Sequence, residues 1–307
     1  MDLRQLRYFV GVLEAGSFTR AAETLRIAQP ALGLHIRRLE EELSVQLMVR
    51  HSRGIEATEA GRFLFENALR ILADVDATAR ALRDFSGPPR GRVALGLTPS
   101  LNATLATAVI RRCSAEIPLV AITMVEGLSS VLAEWVSAGR IDIALAYNVP
   151  EGQALASDPL LQEELFLVQP AGDGADYPAD VAFAALADHP LIMPGLPHTM
   201  RRLLEDVAAT AGVTLKVAFE MQSVSTVKEL VEQGVGATVL PLGAVRREVN
   251  QGLLQAQRIV DPAVTRMVHL LHSSRRPLSR AEEEIMRIIL DVAREVEGSS
   301  GWTVLRP

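Results

Sequence analysis

Gln29, His35, Arg37 and Arg38 crowd into one ten-residue stretch, QPALGLHIRR, of a 307-residue chain. A glutamine amide can pair with two atoms on an adenine edge. A guanidinium can do the same for guanine, or grip a phosphate. That chemistry requires the side chains to share one outward helix face. Leu32, Ile36, Leu39 and Leu43 recur at helical spacing and point the other way. Gln29, Gly33, Leu34, His35, Arg37 and Arg38 therefore fall on or beside the exposed side. Gly33 would allow close backbone approach, and Leu34 would suit a thymine methyl. Pro30 fits the first turn of such a helix, where its missing N–H would be unpaired in any case.

Two earlier helices are predicted to position this one. Leu3, Leu6, Phe9, Val10 and Leu13 give the first a buried face, and Ala15-Gly16-Ser17 ends it. Ser17 is expected to cap the second helix, whose Ala21, Ala22 and Leu25 allow close packing. Thr19 and Arg20, at its start, are further candidates for DNA contact. Arg26-Ile27-Ala28 forms the turn into the third helix. Two helices joined by a tight turn, with Gln and Arg exposed on the second, form the helix-turn-helix pattern. Val49–Ile55 reads as two short strands around a Gly-containing turn, a wing whose Arg50, His51 and Arg53 would meet phosphate. Thr58 then opens a helix of about 28 residues. Its Leu64, Ala68, Ile71, Val75, Thr78 and Leu82 keep heptad spacing, so this helix is expected to pair with a copy of itself.

The run SFTRAAETLRIAQPALGLHIRRLEEELSVQLMVRHSRGIEATEAG, residues 17–61, resembles the LysR-type transcriptional regulators. The resemblance rests on the turn, the AQPAL start, the LEEEL end, the wing and the TEAG helix start occurring in order. It implies a regulator that binds double-stranded promoter DNA, forms a dimer of dimers, and bends the DNA differently with and without a small effector. RNA polymerase is a further partner such a regulator could contact. Family members commonly carry Ser-Arg where this chain has Gly33-Leu34, so DNA contacts at those two positions are not carried over.

Composition sets outer bounds. Hydrophobic residues make up 49% of the chain, enough for two ordinary domains. No run of eighteen apolar residues suggests a membrane span. The start MDLRQLRYF lacks an apolar signal core, so a cytoplasmic location is expected. The single cysteine, Cys113, excludes an intrachain disulfide and is expected to be a small buried side chain. HxxxH and CxxC spacings are absent, so no metal is expected; His189 is assigned to loop structure. Net charge is −6, yet residues 1–57 carry eight Arg against seven acids. The N-terminal module is thus close to neutral, with Glu40, Glu41 and Glu42 segregated to the far end of the third helix.

The predicted domain order is a winged helix-turn-helix over 1–57, a linker and dimerisation helix over 58–86, a hinge over 87–91, and an α/β effector domain over 92–301. Beyond the hinge, strands alternate with helices: 92–97, a helix through Ile110, 119–125, 129–137, 141–147, then a second set from Glu164. This order predicts a parallel sheet with helices on both faces. Arg266–His272 and a helix opened by the capping box Ser279/Glu282 would return to the first set. Two lobes result, lobe I at about 92–162 and 265–301 and lobe II at about 163–264, hinged around a cleft as in periplasmic-type solute-binding domains.

Ligands of such sheets sit beyond the carboxyl ends of strands, where helix N-termini offer N–H groups to anions. This rule selects Thr98, Pro99, Ser100 and Asn102, then Gly127, Leu128 and Ser129. From the other lobe it selects Leu196, His198, Thr199 and Arg201. The resemblance points to the same loops, with Ser100 and Ser129 at positions where relatives touch an effector. Helix capping alone is the competing explanation for both serines. Aromatic content of 4% favours a small hydrogen-bonded acid, so a carboxylate effector is expected and no cofactor. The loops VEGLSS and AGRIDIALAY faintly resemble family members that regulate nitrogen assimilation or aromatic degradation, which names no effector. An enzyme built on the α/β lobes is disfavoured, because GxGxxG, GxSxG and P-loop patterns are absent. A solute-binding module for transport is disfavoured by the N-terminal DNA-reading pattern.

Overall fold

The computed structural model describes residues 1–305 except 52–53, 85–86, 150–154, 173–177 and 197; within its helices and strands, the side chains of residues 50, 77, 80–84, 299 and 300 fall outside the description. The chain divides into two units, Met1–Phe85 with Ser137–Arg140, and Ser86–Val136 with Ile141–Pro307.

In the first unit, α1 (Leu3–Ala15), α2 (Phe18–Leu25) and α3 (Gln29–Leu43) precede the hairpin β1 (Met48–His51) and β2 (Gly54–Ala57), and α4 (Glu59–Asp84) follows. The buried face of α1 is Gln5, Leu6, Phe9, Val10 and Val12. Leu3 is instead exposed and Leu13 only partly covered. Asp2 and Gln5 close a capping box on α1. Ser17 sits at the N-cap of α2 without a side-chain capping bond, so the expected cap is positional only. Leu32, Ile36 and Leu39 of α3 are buried, whereas Leu43 is exposed.

The TEAG start of α4 has a packing reason. Thr58 accepts the Gly61 N–H at 3.0 Å and donates its hydroxyl to the Gln46 carbonyl at 2.7 Å. A Cβ at Gly61 would lie 1.8 Å from the Leu47 carbonyl oxygen, so only glycine lets α4 start this close to the segment before the wing. The first half of α4 then completes the core of its own unit: Ala68 is fully buried, and Leu64, Phe65, Leu69 and Leu72 pack around it. Leu64 and Ala68 therefore do not form a free heptad seam. Ile71 and Thr78 remain exposed, Val75 is half-buried, and the Leu82 side chain lies outside the described residues.

The second unit contains β3 (Gly91–Leu97), α5 (Pro99–Glu116), β4 (Val120–Glu126), α6 (Ser129–Ser137), β5 (Ile143–Tyr147) and the long β6 (Leu155–Pro170). Lobe II follows with β7 (Asp180–Ala182), a 3-10 turn (Phe183–Asp188), β8 (Leu191–Met193), α7 (Thr199–Ala211), β9 (Val217–Glu220), α8 (Val224–Glu232), β10 (Thr238–Pro241), α9 (Leu242–Asn250) and β11 (Leu254–Val260). The chain returns through β12 (Thr265–Ser273), α10 (Arg280–Ser300) and β13 (Trp302–Val304). Only part of the sheet is parallel. Strands β4, β3 and β5 are parallel neighbours, but β12 runs antiparallel to both β5 and β6. The returning strand arrives from the other lobe and so meets the sheet in the opposite direction.

Strand β6 is one sixteen-residue strand serving both lobes. Its first part pairs with β12 and β13, its last part with β10 and β11. Arg266 of β12 stands directly across from Glu163 of β6. Lobe I also extends past residue 301, because Trp302–Val304 pairs with Leu161–Glu163. The helix after β3 runs to Glu116 rather than Ile110, since Val109 and Cys113 prolong its buried stripe. Burial pushes the Cys113 thiol up to about 11, as expected of a packing residue. Separate cores fill the two lobes, and α6 covers the opposite face of the lobe I sheet.

Candidate functional site

Two sites emerge. On the first unit, Gln29, Pro30, Leu34, Arg37 and Arg38 are exposed along α3, with Thr19 and Arg20 exposed at the start of α2. Leu34 is 47% exposed, large for an apolar side chain with no core to fill. A Cβ at Gly33 would meet nothing within 4 Å, so packing does not demand glycine there. His35 differs from the expectation: it stacks edge-on against Tyr8 with ring centroids 5.0 Å apart and is half-covered. Glu40 is not a free acid at the helix end. It accepts the Leu47 and Met48 N–H groups at 2.8 and 3.3 Å and so ties α3 to the wing. Arg50 pairs across the hairpin with Ile55, and His51 with Gly54; the Arg50 side chain and all of Arg53 lie outside the described residues. His51 faces Glu56 at 3.8 Å.

The second site is a cleft of about 790 Å³, partly open to solvent, between the lobes of the second unit. Lobe I supplies Thr98, Pro99, Ser100, Leu128, Ser129, Ser130, Tyr147 and Arg266; lobe II supplies Pro194, His198, Thr199, Met200, Met221, Gln222, Val224, Val227, Thr238, Leu240 and Pro241. Four expected members are elsewhere. Asn102 donates to Glu126 at 2.9 Å, away from the cleft. Leu196 is 66% exposed and does not line it. Arg201 is held by Glu205 at 2.7 Å and Glu220 at 3.3 Å, so its charge serves the loop before α7. Gly127 is not among the lining residues; a Cβ there would press on Leu132.

The floor of the cleft is a buried polar network. Arg266 donates from Nε to Glu163 Oε2 at 2.7 Å and from Nη2 to Ser100 Oγ at 3.0 Å and Tyr147 Oη at 2.8 Å. Tyr147 donates its phenol to the same carboxylate oxygen at 2.9 Å, and Trp302 Nε1 donates to Oε1 at 2.8 Å. Burial raises the Tyr147 phenol above its ordinary value, which keeps it a neutral donor. Ser129 accepts the Tyr147 backbone N–H at 3.0 Å, leaving its own proton to give. His198 accepts the Met200 N–H on Nδ1 at 3.2 Å, which places its proton on Nε2. Burial lowers the His198 pKa, and the nearby Arg266 lowers it further.

Part of the polar capacity of the cleft is left over. Thr98 Oγ1 is buried and has no hydrogen-bond partner among the described residues. Arg266 Nη1 also makes no hydrogen bond to a described residue, although Nε and Nη2 are fully used. Arg266 is the one side chain with a fixed charge among the lining residues. No lining carboxylate is present to receive an ammonium group.

Models of known families match both units: the bacterial regulatory helix-turn-helix protein, lysR family, over residues 3–62, and the LysR substrate binding domain over residues 86–294. The chain belongs to the LysR family of transcriptional regulators. Among curated relatives, the nitrogen assimilation regulatory protein nac of Klebsiella aerogenes is 32% identical over 294 residues, covering 95% of each chain. The regulator IlvR of Caulobacter vibrioides is 33% identical over 274 residues, covering 86% of this chain and 90% of the relative. Among solved structures, a full-length OxyR variant from Pseudomonas aeruginosa shares the fold with a TM-score of 0.74 at 21% identity, covering 96% of this chain and 98% of that one. Full-length CbnR in complex with its target DNA gives 0.68 at 20% identity, covering 96% and 99%.

This LysR regulator thus has a winged helix-turn-helix unit and a two-lobed α/β unit with a cleft, and it is not an enzyme. Arg266, Tyr147 and Thr238 in the cleft, and Glu163 behind it, are among the residues that were not selected from the sequence. Period-two alternation along β12 could have found one of them. Arg266 shares the inward face with Val268 and Leu270, where a charge must have a partner. Among the described residues, no helix is long and apolar enough to cross a membrane.

Proposed function

We propose that this regulator senses a small carboxylate with an apolar body in its interlobe cleft, and that occupancy changes its hold on promoter DNA. The observation that carries the reading is the buried Thr98 Oγ1, without a hydrogen-bond partner among the described residues, on a residue that lines the same cleft as Arg266. An unpaired buried polar atom is costly unless a ligand or water satisfies it. Donors from Ser129 and His198 Nε2 would complete a cradle for acceptor oxygens, and Leu128, Met221, Val224, Val227 and Leu240 would take the apolar body. Contacts from both lobes hold only at one lobe setting, so ligand binding biases that setting. Ser100 binds inside the network and therefore orients Arg266.

On DNA, Gln29, Arg37 and Arg38 read or grip the major groove, and the wing arginines neutralise phosphate. Copies associate through the exposed stretch of α4 around Ile71, while Leu64 and Ala68 serve the chain's own core. Pairing of dimers into a tetramer and contact with RNA polymerase belong to the same reading. Ile71→Asp should give smaller assemblies in light scattering and weaker promoter binding; an unchanged assembly would place the interface elsewhere.

The cleft is tested by thermal shift of the full chain against small carboxylates, amines and amino acids. A ligand that binds the folded state raises the melting temperature by mass action. Carboxylates should raise it; a response confined to amines would sink the reading.

A further inference from the structure

The network under the cleft holds one cation and one anion, Arg266 and Glu163. Arg266 and Glu163 are directly opposed across β12 and β6, at the point where β6 passes from one lobe to the other. The pair is 2.6 Å apart at closest approach, with Arg266 almost wholly and Glu163 wholly removed from solvent. Glu163 takes no part in the cleft wall, yet its carboxylate collects Arg266, Tyr147 and Trp302 from behind it. The guanidinium that faces the ligand therefore arrives already compensated. Charges in such a setting act at low effective dielectric, so one unit more or less behind the wall alters ligand preference strongly.

We infer that Glu163 determines which charge class the cleft accepts: by neutralising Arg266 from behind, it admits a single carboxylate and rejects a dianion. The inference rests on the reading of the cleft as a carboxylate site. One carboxylate can sit against Arg266, the one lining side chain with a fixed charge, beside Thr98. A second would find no further fixed positive charge among the lining residues. Glu163 touches no ligand; it acts through Arg266 and is a positioning residue that also sets the local charge. Trp302 is one of two tryptophans in the chain and is bonded to the same carboxylate, so its emission reports whether the network is intact.

The test uses butyrate and succinate, which share a four-carbon skeleton and differ by one carboxylate. Affinities are measured by calorimetry on the full chain for the native protein and for Glu163→Gln, with ionic strength held constant. The native protein should prefer butyrate. In Glu163→Gln the ratio of the two affinities should move toward succinate by about tenfold or more. An unchanged ratio, with butyrate still bound, overturns the role of Glu163 and leaves the carboxylate reading intact. If the native protein binds neither acid and Glu163→Gln binds succinate, compensation by Glu163 is what excluded the dianion and the inference stands. Binding of neither acid by either protein overturns both. Should Glu163→Gln fail to fold, as judged by tryptophan emission and circular dichroism, the double variant Glu163→Gln/Arg266→Gln replaces it. That protein keeps the net charge of the native pair, so it should bind butyrate more weakly and still prefer it to succinate; a shift toward succinate in the double variant overturns the inference.

Discussion

The third helix and the cleft floor both place arginines where a partner's oxygens would come, but they do so by opposite means. Arg37 and Arg38 stand in solvent on one short helix, and the backbone of that helix alone fixes their positions. Arg266 is buried, and it is fixed by Glu163, Tyr147 and Ser100, which come from three other elements. The exposed pair costs nothing to keep charged and is free to slide between phosphates. The buried arginine has its charge matched by a carboxylate beside it, and Glu163, Tyr147 and Ser100 hold its orientation. A face that must meet many DNA sequences is built loosely. A pocket that must recognise one small molecule is built tightly.

The sharpest way to break this contrast is to delete one arginine of each kind. Arg266→Ala leaves Glu163 buried without its partner and should destabilise the C-terminal unit by about 3–5 kcal/mol in urea denaturation. Arg37→Ala should change stability by roughly 0.5 kcal/mol or less and weaken promoter binding. Equal effects on stability would remove the distinction.

Base reading comes next in size. Gln29→Ala should cost about 1–3 kcal/mol at the regulator's own site and little on random DNA, measured by gel shift. Equal losses on both would make Gln29 a backbone contact. Thr98→Val has the smaller and opposite effect on stability. It replaces an unpaired buried hydroxyl with a methyl of similar volume, so melting should be unchanged or slightly higher while ligand response falls. A drop in melting temperature would show that the hydroxyl has a partner in solution.

The smallest effect is on pH dependence. Burial and Arg266 hold the His198 pKa below its ordinary 6.5. The unfolded chain therefore takes up the proton first, and stability rises with pH across this window. The contribution is complete above 6.5 and is lost as pH falls through the folded-state value. His198→Gln should flatten a plot of melting temperature against pH between about 5 and 7. A slope unchanged from the native protein would assign the dependence to another group.

Much of the DNA-reading unit is legible in the residues because its elements are local. Pro30 and the Leu32–Ile36–Leu39 stripe each act within one helix, α3. The heptad spacing on α4 was legible too, but its meaning was not. Leu64 and Ala68 fit a seam equally well whether it faces a partner or the chain's own α1, and only tertiary packing decides. The cleft was half legible for a related reason. Thr98, Ser100, Ser129 and His198 follow from the rule that ligands lie beyond strand ends. Arg266 and Glu163 lie 103 residues apart and meet only because β12 returns antiparallel to β6. Arg201 misled because a cation beside a loop looks the same whether it awaits an anion or already holds Glu205 and Glu220.

The central claim is that occupancy of the cleft alters the grip on DNA. It is tested most directly by fluorescence anisotropy on labelled DNA from the regulator's own upstream region, titrated with the native protein and with Thr98→Val. Each titration is run with and without the carboxylate that most raises the melting temperature. The ligand should change the affinity or the anisotropy plateau of the native protein, and the change should be lost in Thr98→Val while its ligand-free binding matches the native protein. A ligand effect of the same size in both proteins would contradict the account.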